Sequence, residues 1–223
     1  MLRLLPREKG VLYCDIVFEV RDAKGRLVKT RKIRSRSLVA NFLRVIREQM
    51  IITGRTGPRG PNYYGGGATA VKDVGGTLRA PICGLSYSQG GAILYPLFAA
   101  DGGAGDVNKG IRVGTGTTTP TPDDYCLAAP IGEGTGSGQL SHGAVTIETV
   151  VIEGSVAKFR IIRTFTNNSG ASITVNEVGL FVQILCGDGA TYSFMVARDV
   201  ISGGITIPNG ATLTVRYIFQ VTT

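Results

Sequence analysis

His142 is the single histidine of the chain, and it directly follows Ser141. A serine becomes a nucleophile when an imidazole accepts its proton, but adjacency in sequence does not place the hydroxyl on the ring. The Gly-x-Ser-x-Gly turn that exposes a catalytic serine is absent from the sequence. We therefore expect His142 to be a structural or exposed residue, and we predict that the chain is not an enzyme.

The run from Gly114 to Pro120 has the glycine and threonine content of a phosphate-binding loop. It lacks the Gly-Lys-Ser/Thr ending of such loops, and no helical pattern follows it to point backbone amides at an anion. Pro120 and Pro122 instead favour an extended backbone. The run is predicted to be an extended linker and not a nucleotide site.

Acidic residues show no spacing that is specific for a metal or for hydrolysis. An aspartate group could ligate calcium, but its spacing differs from an EF-hand loop, and aspartate after proline is common in turns. The glutamates are isolated in pattern, so no carboxylate pair is nominated. The aspartates are Asp101, Asp106, Asp123 and Asp124, and the glutamates are Glu133, Glu148, Glu153 and Glu177.

The four cysteines form no Cys-x-x-Cys pair, which argues against a zinc site. We expect Cys14, Cys83, Cys126 and Cys186 to be small buried hydrophobic residues, while a Cys126–Cys186 disulfide stays an open alternative. The sequence therefore predicts no catalytic residue, no cofactor and no metal ligand.

Positive charge is concentrated in the first quarter of the chain. Residues 1–60 contain 15 Lys+Arg and 5 Asp+Glu, a net charge of +10, whereas the rest has a net charge of −2. Such asymmetry is typical of chains that bind nucleic acid or dock on an acidic neighbour. The predicted contact residues are Arg26, Lys29, Arg31, Lys32, Arg34, Arg36, Arg44 and Arg47.

Docking on another subunit is the favoured role of this basic set, because its members are interleaved with a strand and a helix pattern. Asp123 and Asp124 are candidate partners in a neighbouring copy. Contact with nucleic acid through phosphate neutralisation is the alternative, without base recognition, since no nucleic-acid motif is present. Replacing Arg31, Lys32 and Arg34 with serine is expected to weaken docking while the fold survives.

Residues 1–53 are predicted to form a basic β-hairpin and a helix. Apolar residues alternate with polar ones over residues 11–20, a turn with Gly25 follows, and residues 26–34 are the return strand. Ser35 or Ser37 is expected to cap one amphipathic helix over residues 35–51. We expect its apolar stripe to pack on a sandwich, with a partner-helix role as the alternative.

Residues 54–110 are rich in glycine and punctuated by short apolar pieces. A segment of this length without regular structure is unusual inside a compact domain and would fray in isolation. It is predicted to be a long extended arm that is held by neighbouring subunits.

Residues 111–223 are predicted to form an antiparallel β-sandwich of jelly-roll-like type, joined with residues 1–53 in one composite domain. Short apolar segments alternate with turn formers, as in sandwiches and barrels. The turns are placed at 167–170, 187–189, 203–204 and 208–210, and the first and last read as hairpin loops. The strands are predicted at 145–151, 156–166, 173–185, 192–200, 205–207 and 212–221.

Three stretches of residues 111–221 resemble virion structural proteins of tailed bacteriophages and similar viruses. They are Val113-Gly-Thr-Gly-Thr with Pro120-Thr-Pro-Asp-Asp and Leu127, then Phe165-Thr-Asn-Asn-Ser-Gly170, then Ile173-Thr-Val-Asn-Glu-Val-Gly-Leu180. The resemblance implies a tail, neck or head-decoration subunit. In the proteins it resembles, the segment Asn176–Leu180 is a structural strand-and-turn element without assigned chemistry.

The predicted function is a non-enzymatic structural subunit that assembles with itself and with other virion proteins into a ring, tube or shell. Contact with packaged nucleic acid is the second role considered for its basic set. No secretory signal, lipoprotein leader or long apolar run is present, so we expect assembly in the host cytoplasm, location in the virion and no membrane contact. The alternatives are a subunit of a cellular extracellular filament or surface layer, and a carbohydrate-binding β-sandwich module.

Overall fold

The computed structural model describes residues 12–35, 37–50, 71–81, 85–88, 91–94, 99–186 and 188–222. These residues contain one helix, α1, at Ala40–Met50, together with fourteen strands. The strands are β1 (Leu12–Arg21), β2 (Leu27–Arg34), β3 (Val71–Lys72), β4 (Leu78–Arg79), β5 (Leu85–Ser88), β6 (Gly91–Leu94), β7 (Gly110–Gly114), β8 (Ser141–His142), β9 (Thr146–Ile147), β10 (Val151–Glu153), β11 (Val156–Thr166), β12 (Ile173–Leu185), β13 (Thr191–Ile207) and β14 (Thr212–Thr222).

Two antiparallel sheets form the body of the fold. The larger sheet has the strand order β10-β11-β14-β1-β2, with β8 and β9 also paired with β11, and the smaller sheet has the order β13-β12-β7. One hydrophobic cluster joins them, with Phe18 and Tyr217 from the larger sheet and Leu180 and Val196 from the smaller one. The predicted mainly β class, with antiparallel sheets arranged like a sandwich and a single helix, is confirmed.

Alternation of apolar and polar residues explains the central pairing of the larger sheet. Ile16 lies opposite Tyr217, and Phe18 lies opposite Val215, in the register of β1 with β14. All four side chains are buried, and residues directly opposite each other in a sheet share one face. The first strand therefore joins the C-terminal strand in a common inner face, which places residues 12–34 in the same domain as the C-terminal half.

The loops at 167–170 and 208–210 connect one sheet with the other and are not hairpin turns, which corrects the prediction. Residues 167–172 lead from β11 in the larger sheet to β12 in the smaller one, and residues 208–211 lead back from β13 to β14. The loops bind each other, because Asn167 N donates to Ala211 O at 2.9 Å and Gly210 N donates to Asn167 O at 2.6 Å. Gly170 has the expected positive φ of 86°.

The predicted turn at Gly203-Gly204 is also wrong, because β13 runs without interruption through both glycines. Both have positive φ, 73° and 59°, and the register of β12 with β13 shifts nearby, between Val175 and Glu177. A bulge accommodates such residues inside a strand, since glycine adopts the left-handed region without a Cβ penalty.

The helix is shorter than predicted, and neither Ser35 nor Ser37 caps it. Residues 37–39 run beside β13 instead, with Val39 N donating to Val196 O at 3.2 Å, so the helix starts only at Ala40. Val45 is fully buried, as expected for a helix that packs on the sandwich, but Leu43 is exposed. The buried face of α1 is therefore narrower than the apolar stripe in its sequence indicated.

Part of the predicted arm at 54–110 belongs to the β domain. Residues 51–70 lie outside the described residues. Val71 is buried in the main core, Val74 N donates to Ser193 O at 3.0 Å, and residues further on bind the domain in the same way, since Gln183 N donates to Ala99 O at 2.9 Å. For these described pieces, neighbouring subunits are not needed to explain an ordered backbone.

Candidate functional site

The predicted basic set does not form one patch, because β2 presents its residues on two faces. Lys32 and Arg34 lie on the outer face of the larger sheet, whereas Lys29 and Arg31 lie opposite Val20 and Phe18 and share their inner face. Arg44 and Arg47 lie on α1, and Arg36 lies outside the described residues. Alternation along the strand thus divides residues that are neighbours in sequence.

Lys32 and Arg34 form ion pairs with Asp15 of the same chain, whose side chain is 4% exposed. Lys32 Nζ lies 2.8 Å from Asp15 Oδ2 and Arg34 Nε lies 3.5 Å from Asp15 Oδ1. Gln220 Nε2 also donates to Asp15 Oδ2 at 2.9 Å. The bases of β2 thus pair with an acid of the neighbouring strand β1. These two cations are thus committed within the subunit.

The other members of the set differ in their partners. Arg26 binds Asp22 across the turn, with Nε 2.7 Å from Oδ2, and Arg44 lies 3.5 Å from Asp123 Oδ1 of the same chain. Arg31 Nη1 donates to the carbonyl oxygen of Gly204 at 3.5 Å, and it has no ion pair with the residues that the structure describes. Within the described part of the chain, Lys29 has no ion pair and its side chain is exposed. Lys29 and Arg31 therefore remain open to an external acid.

A buried ion-pair network on the smaller sheet was not predicted. Arg198 Nε donates to Glu177 Oε2 at 2.9 Å, and Arg198 Nη1 donates to Asp124 Oδ2 at 2.7 Å. Arg198 Nη2 also donates to Thr118 O at 3.0 Å. Glu177 is fully buried. Burial alone would raise the pKa of Asp124, but hydrogen bonds from Thr121 and Arg198 outweigh that effect and hold its pKa below the usual value.

Glu177 also binds the backbone of the Gly-Thr-Pro region. Its carboxylate accepts from the amides of Gly116 at 3.2 Å, Ala128 at 3.1 Å and Ala129 at 2.7 Å. The linker after β7 is therefore folded back onto the sheet, and its amides are used by a protein carboxylate instead of a phosphate. Two of the three stretches that carry the viral resemblance, 113–127 and 173–180, thus meet at one buried acid.

His142 is buried beside a second cationic cluster. Its ring stacks edge-on against Phe165, with centroids 5.0 Å apart, and its Nδ1 lies 3.5 Å from Glu133 Oε2 without a hydrogen bond. Burial, together with the positive charges of the nearby Arg163 and Arg112, lowers the pKa of His142 to about 4. Within the described residues neither ring nitrogen has a hydrogen-bond partner, and the buried ring packs on Phe165.

Arg163 is a fully buried cation that binds carbonyl groups. Its Nε donates to Gly143 O at 2.8 Å, and its other nitrogens donate to Ile111 O at 3.0 Å and Asp106 O at 2.5 Å. Burial lowers the pKa of this guanidinium. Through these hydrogen bonds the Arg163 side chain holds residues 103–111 against the sandwich, which is a structural role.

The acidic candidates are engaged in local contacts. Asp101 Oδ1 accepts from Lys109 Nζ at 2.9 Å, Asp106 Oδ1 accepts from the Asn108 amide at 2.7 Å, and Glu153 accepts from Lys158 Nζ at 2.6 Å. In the ranges that the structure describes, no group of three or more His, Cys, Asp or Glu side chains could hold a metal ion.

The cysteines that lie within the described ranges are free thiols. Cys14 and Cys186 are buried and Cys126 is half-buried, so the Cys126–Cys186 disulfide is not formed. Burial raises the pKa of Cys14 and of Cys186 to about 12. These thiols therefore stay protonated and unreactive at neutral pH, as expected for packing residues. Cys83 lies outside the described residues.

Among the residues that the structure describes, no further strand covers either edge of the larger sheet, and the two open edges differ in charge. The basic edge is residues 26–34, which contain five Lys or Arg and no acid, and the acidic edge is residues 146–153, which contain two Glu and no base. Val28 on the basic edge is 60% exposed, and Ile152 on the acidic edge is 75% exposed. Exposed apolar residues on open strands are a template for pairing with another chain.

An apolar groove of about 360 Å³ opens between the sheets at one end of the sandwich. It is bordered by α1 and by both sheets, through Leu12, Phe42, Ile46, Phe159, Leu180 and Phe219 among others. The lining residues within the described ranges are all apolar, whereas a carbohydrate site also presents polar groups that fix hydroxyls.

No protein-family model, no curated protein and no solved structure matches this chain. Among the helical residues that the structure describes, none belongs to a helix long and apolar enough to cross a membrane.

Proposed function

We propose that this chain is a non-enzymatic structural subunit of a virus particle, of tail, neck or head-decoration type. It assembles with copies of itself and with other virion proteins into a ring, tube or shell. The observation that carries the proposal is the pair of open edges of the larger sheet, each with exposed apolar residues such as Val28 and Ile152. Monomeric proteins usually blunt or cover such edges.

Several buried charged side chains bind other parts of the same chain, and this also supports a structural role. Glu177, Arg198 and Asp124 hold the linker after β7, and Arg163 holds residues 103–111 through their carbonyl groups. Catalysis needs groups within reach of a substrate, and these groups instead face each other or the backbone. They build a rigid scaffold on which an assembly surface can be carried.

The resemblance to virion proteins fits the same role at the level of the motifs. Its first and third stretches meet at Glu177, whose carboxylate joins the linker to β12. A subunit that must fit identical neighbours needs loops with one defined conformation, because disorder at an interface adds an entropic cost to binding. The network gives the linker such a conformation.

Electron microscopy and light scattering test the proposal. We expect the purified chain to form rings, tubes or shells in negative stain, with a molar mass that increases in steps of one subunit mass. Antibodies against the chain should label particles released from cells that carry its gene. A chain that stays monomeric across concentrations and never labels particles would contradict the proposed function.

A further inference from the structure

We propose that neighbouring copies join edge to edge, with the basic edge of one copy beside the acidic edge of the next. The larger sheet then continues across subunits. This inference rests on the proposed self-assembly, and it names the surfaces through which self-assembly occurs.

Both edges have unused backbone hydrogen-bonding groups. Strand β2 pairs with β1, and no second strand pairs with it in the described part of the chain. On the other side, β9 and β10 pair with β11, and Glu148 N between them donates to Arg160 O on the same strand. The outward N–H and C=O groups of both edges can therefore form a new ladder, as in strand addition.

Exposed apolar side chains are concentrated at the same two edges. Among the residues that the structure describes, ten large hydrophobic side chains are exposed. Leu27 and Val28 lie on the basic edge, and the acidic edge contributes Ile147, Val150, Val151 and Ile152. Six of the ten would thus be covered by one repeated contact, which removes apolar surface from water.

The two edges are complementary in charge. Lys29 and Arg31 on the basic edge have no acid partner within the described ranges. Glu148 and Glu153 on the acidic edge bind Arg160 and Lys158 of their own sheet, at the surface. Surface pairs of this kind are weak and exchange readily. In the contact between copies, Lys29 lies near these carboxylates. They provide the acidic partner that the described part of its own subunit does not provide.

Charge also decides between a head-to-tail contact and a symmetric one. Two basic edges would bring Lys29 and Arg31 against their own copies, and like charges in opposite positions destabilise a strand pair. The contact must therefore join different surfaces, which produces rings when the rotation closes and open tubes when it does not. A symmetric dimer through β2 is not expected.

Strand direction specifies the junction further. Each pairing from β10 through β11, β14 and β1 to β2 is antiparallel, so the outer strands β10 and β2 run in the same direction. Lys29 and Arg31 lie on the inner face of the sheet, whereas Glu148 and Glu153 lie on the outer face, where they bind Arg160 and Lys158. These charges share one face only when the next copy is turned over by a half-turn about an axis across the strands, so β2 and β10 of adjacent copies join antiparallel. Antiparallel ladders have hydrogen bonds perpendicular to the strands.

Cysteine cross-linking tests the pairing directly. Val28→Cys and Ile152→Cys are made as two separate single variants and are oxidised alone and as an equal mixture. We expect cross-linked dimers to be at least about tenfold more abundant in the mixture than in either variant alone, beyond the level that the unsubstituted chain produces through its native thiols. Equal cross-linking in the mixture and in Val28→Cys alone would overturn the head-to-tail arrangement.

Matched lysine substitutions test the energetic importance of the edges. Val28→Lys and Ile152→Lys should each raise the protein concentration at half-assembly by about tenfold or more, because lysine on an edge strand opposes pairing. Leu78→Lys is the control, since Leu78 is equally exposed at 59% but lies on β4, outside both edges. An unchanged concentration for both edge variants would overturn the proposal.

The two hypotheses fail in different ways. If the unsubstituted chain assembles while neither edge substitution nor cross-linking has an effect, the edge pairing is wrong and the structural role stands. If the unsubstituted chain neither assembles nor labels particles, the proposed function itself fails, and the edge pairing fails with it.

Discussion

Arg198 and Glu177 form an ion pair with Nε and Oε2 2.9 Å apart, and their side chains are 2% and 0% exposed. The pair joins β13 to β12 on the face of the smaller sheet that the linker after β7 covers. Because Asp124 and the amides of that linker bind the same two side chains, the pair connects two strands with a region about 50 to 80 residues away in sequence. The linker conformation therefore depends on a contact that no local pattern contains.

Arg198→Met should lower the free energy of unfolding by about 3–5 kcal/mol, because it leaves the buried Glu177 carboxylate without its cation. Arg160→Met is the control, since Arg160 pairs with Glu148 at the surface, where a pair contributes about 1 kcal/mol or less. Urea unfolding of both variants measures the difference. Equal losses would mean that the buried pair does not stabilise the linker.

Gly204→Ala should destabilise the chain more than Gly203→Ala. Both glycines have positive φ, so alanine is strained at either position, by about 1–2 kcal/mol. At Gly204 a Cβ would also collide with Asn176 Oδ1 and Thr174 Cγ2, whereas at Gly203 nothing lies within 4 Å. We expect an additional loss of about 1–3 kcal/mol for Gly204→Ala in thermal unfolding. Similar midpoints for both variants would contradict the close approach of β12 to the bulge.

Stability should decrease in mild acid because of His142. Its pKa is about 4 in the folded chain and 6.5 as the ordinary value, so the unfolded chain binds the proton first as the pH falls. The stability that neutral His142 provides is present above pH 6.5 and is lost as the pH falls towards 4, amounting to about 2 kcal/mol between pH 7 and pH 5.

The control for this prediction is His142→Leu, which removes the titrating group at similar volume. Glu133, Arg163 and Arg112 are the charged groups that act on the imidazole, and they remain in the variant. The difference in unfolding free energy between pH 7 and pH 5 should become smaller in His142→Leu by about the same 2 kcal/mol. An unchanged difference would show that other groups cause the acid sensitivity.

Replacing Arg31, Lys32 and Arg34 with serine should now affect both assembly and folding, in contrast to the sequence-based expectation that the fold survives. Lys32 and Arg34 neutralise Asp15, which is 3% exposed, and removing both leaves a buried carboxylate with Gln220 as its remaining polar partner among the contacts described. We expect a loss of about 1–3 kcal/mol in urea unfolding.

Single substitutions separate the two effects of that triple change. Lys29→Ser and Arg31→Ser should leave the unfolding free energy within about 0.5 kcal/mol of the original, since neither residue has an ion pair in the described ranges. They should weaken assembly and reduce its sensitivity to salt. If salt releases bound nucleic acid while the assembly stays intact, the basic edge contacts nucleic acid instead.

Local pattern in the sequence predicted the strands well where side chains alternate between two environments. The predicted ranges for β11 and β12 equal the observed ones, Val156–Thr166 and Ile173–Leu185. Alternation predicts a strand because successive side chains of an extended backbone point to opposite faces, whatever the partner is. The same local logic placed Gly25 in the turn before β2, where its φ is 77°.

Which strands pair with each other was decided only by the tertiary structure. Asn167-Asn-Ser-Gly170 and Pro208-Asn-Gly210 have hairpin chemistry, yet both cross between sheets, because β11 and β14 are required side by side in the larger sheet. The apolar pattern of a strand is satisfied equally by either sheet, since both contribute to one core. Which sheet receives a strand therefore depends on packing among residues that are far apart in the chain.

The electrostatic roles of individual residues were likewise determined by distant contacts. In sequence, the bases of β2 form one charged run, and Glu177 is an isolated acid. In the folded chain, Lys32 and Arg34 pair with Asp15. Lys29 and Arg31 lie on the other face of the same strand. Glu177 is buried against Arg198. A buried charge is tolerated only where a partner compensates its lost hydration. The sequence determines which charges exist, and only the tertiary structure decides which are paired inside the subunit and which remain for a neighbour.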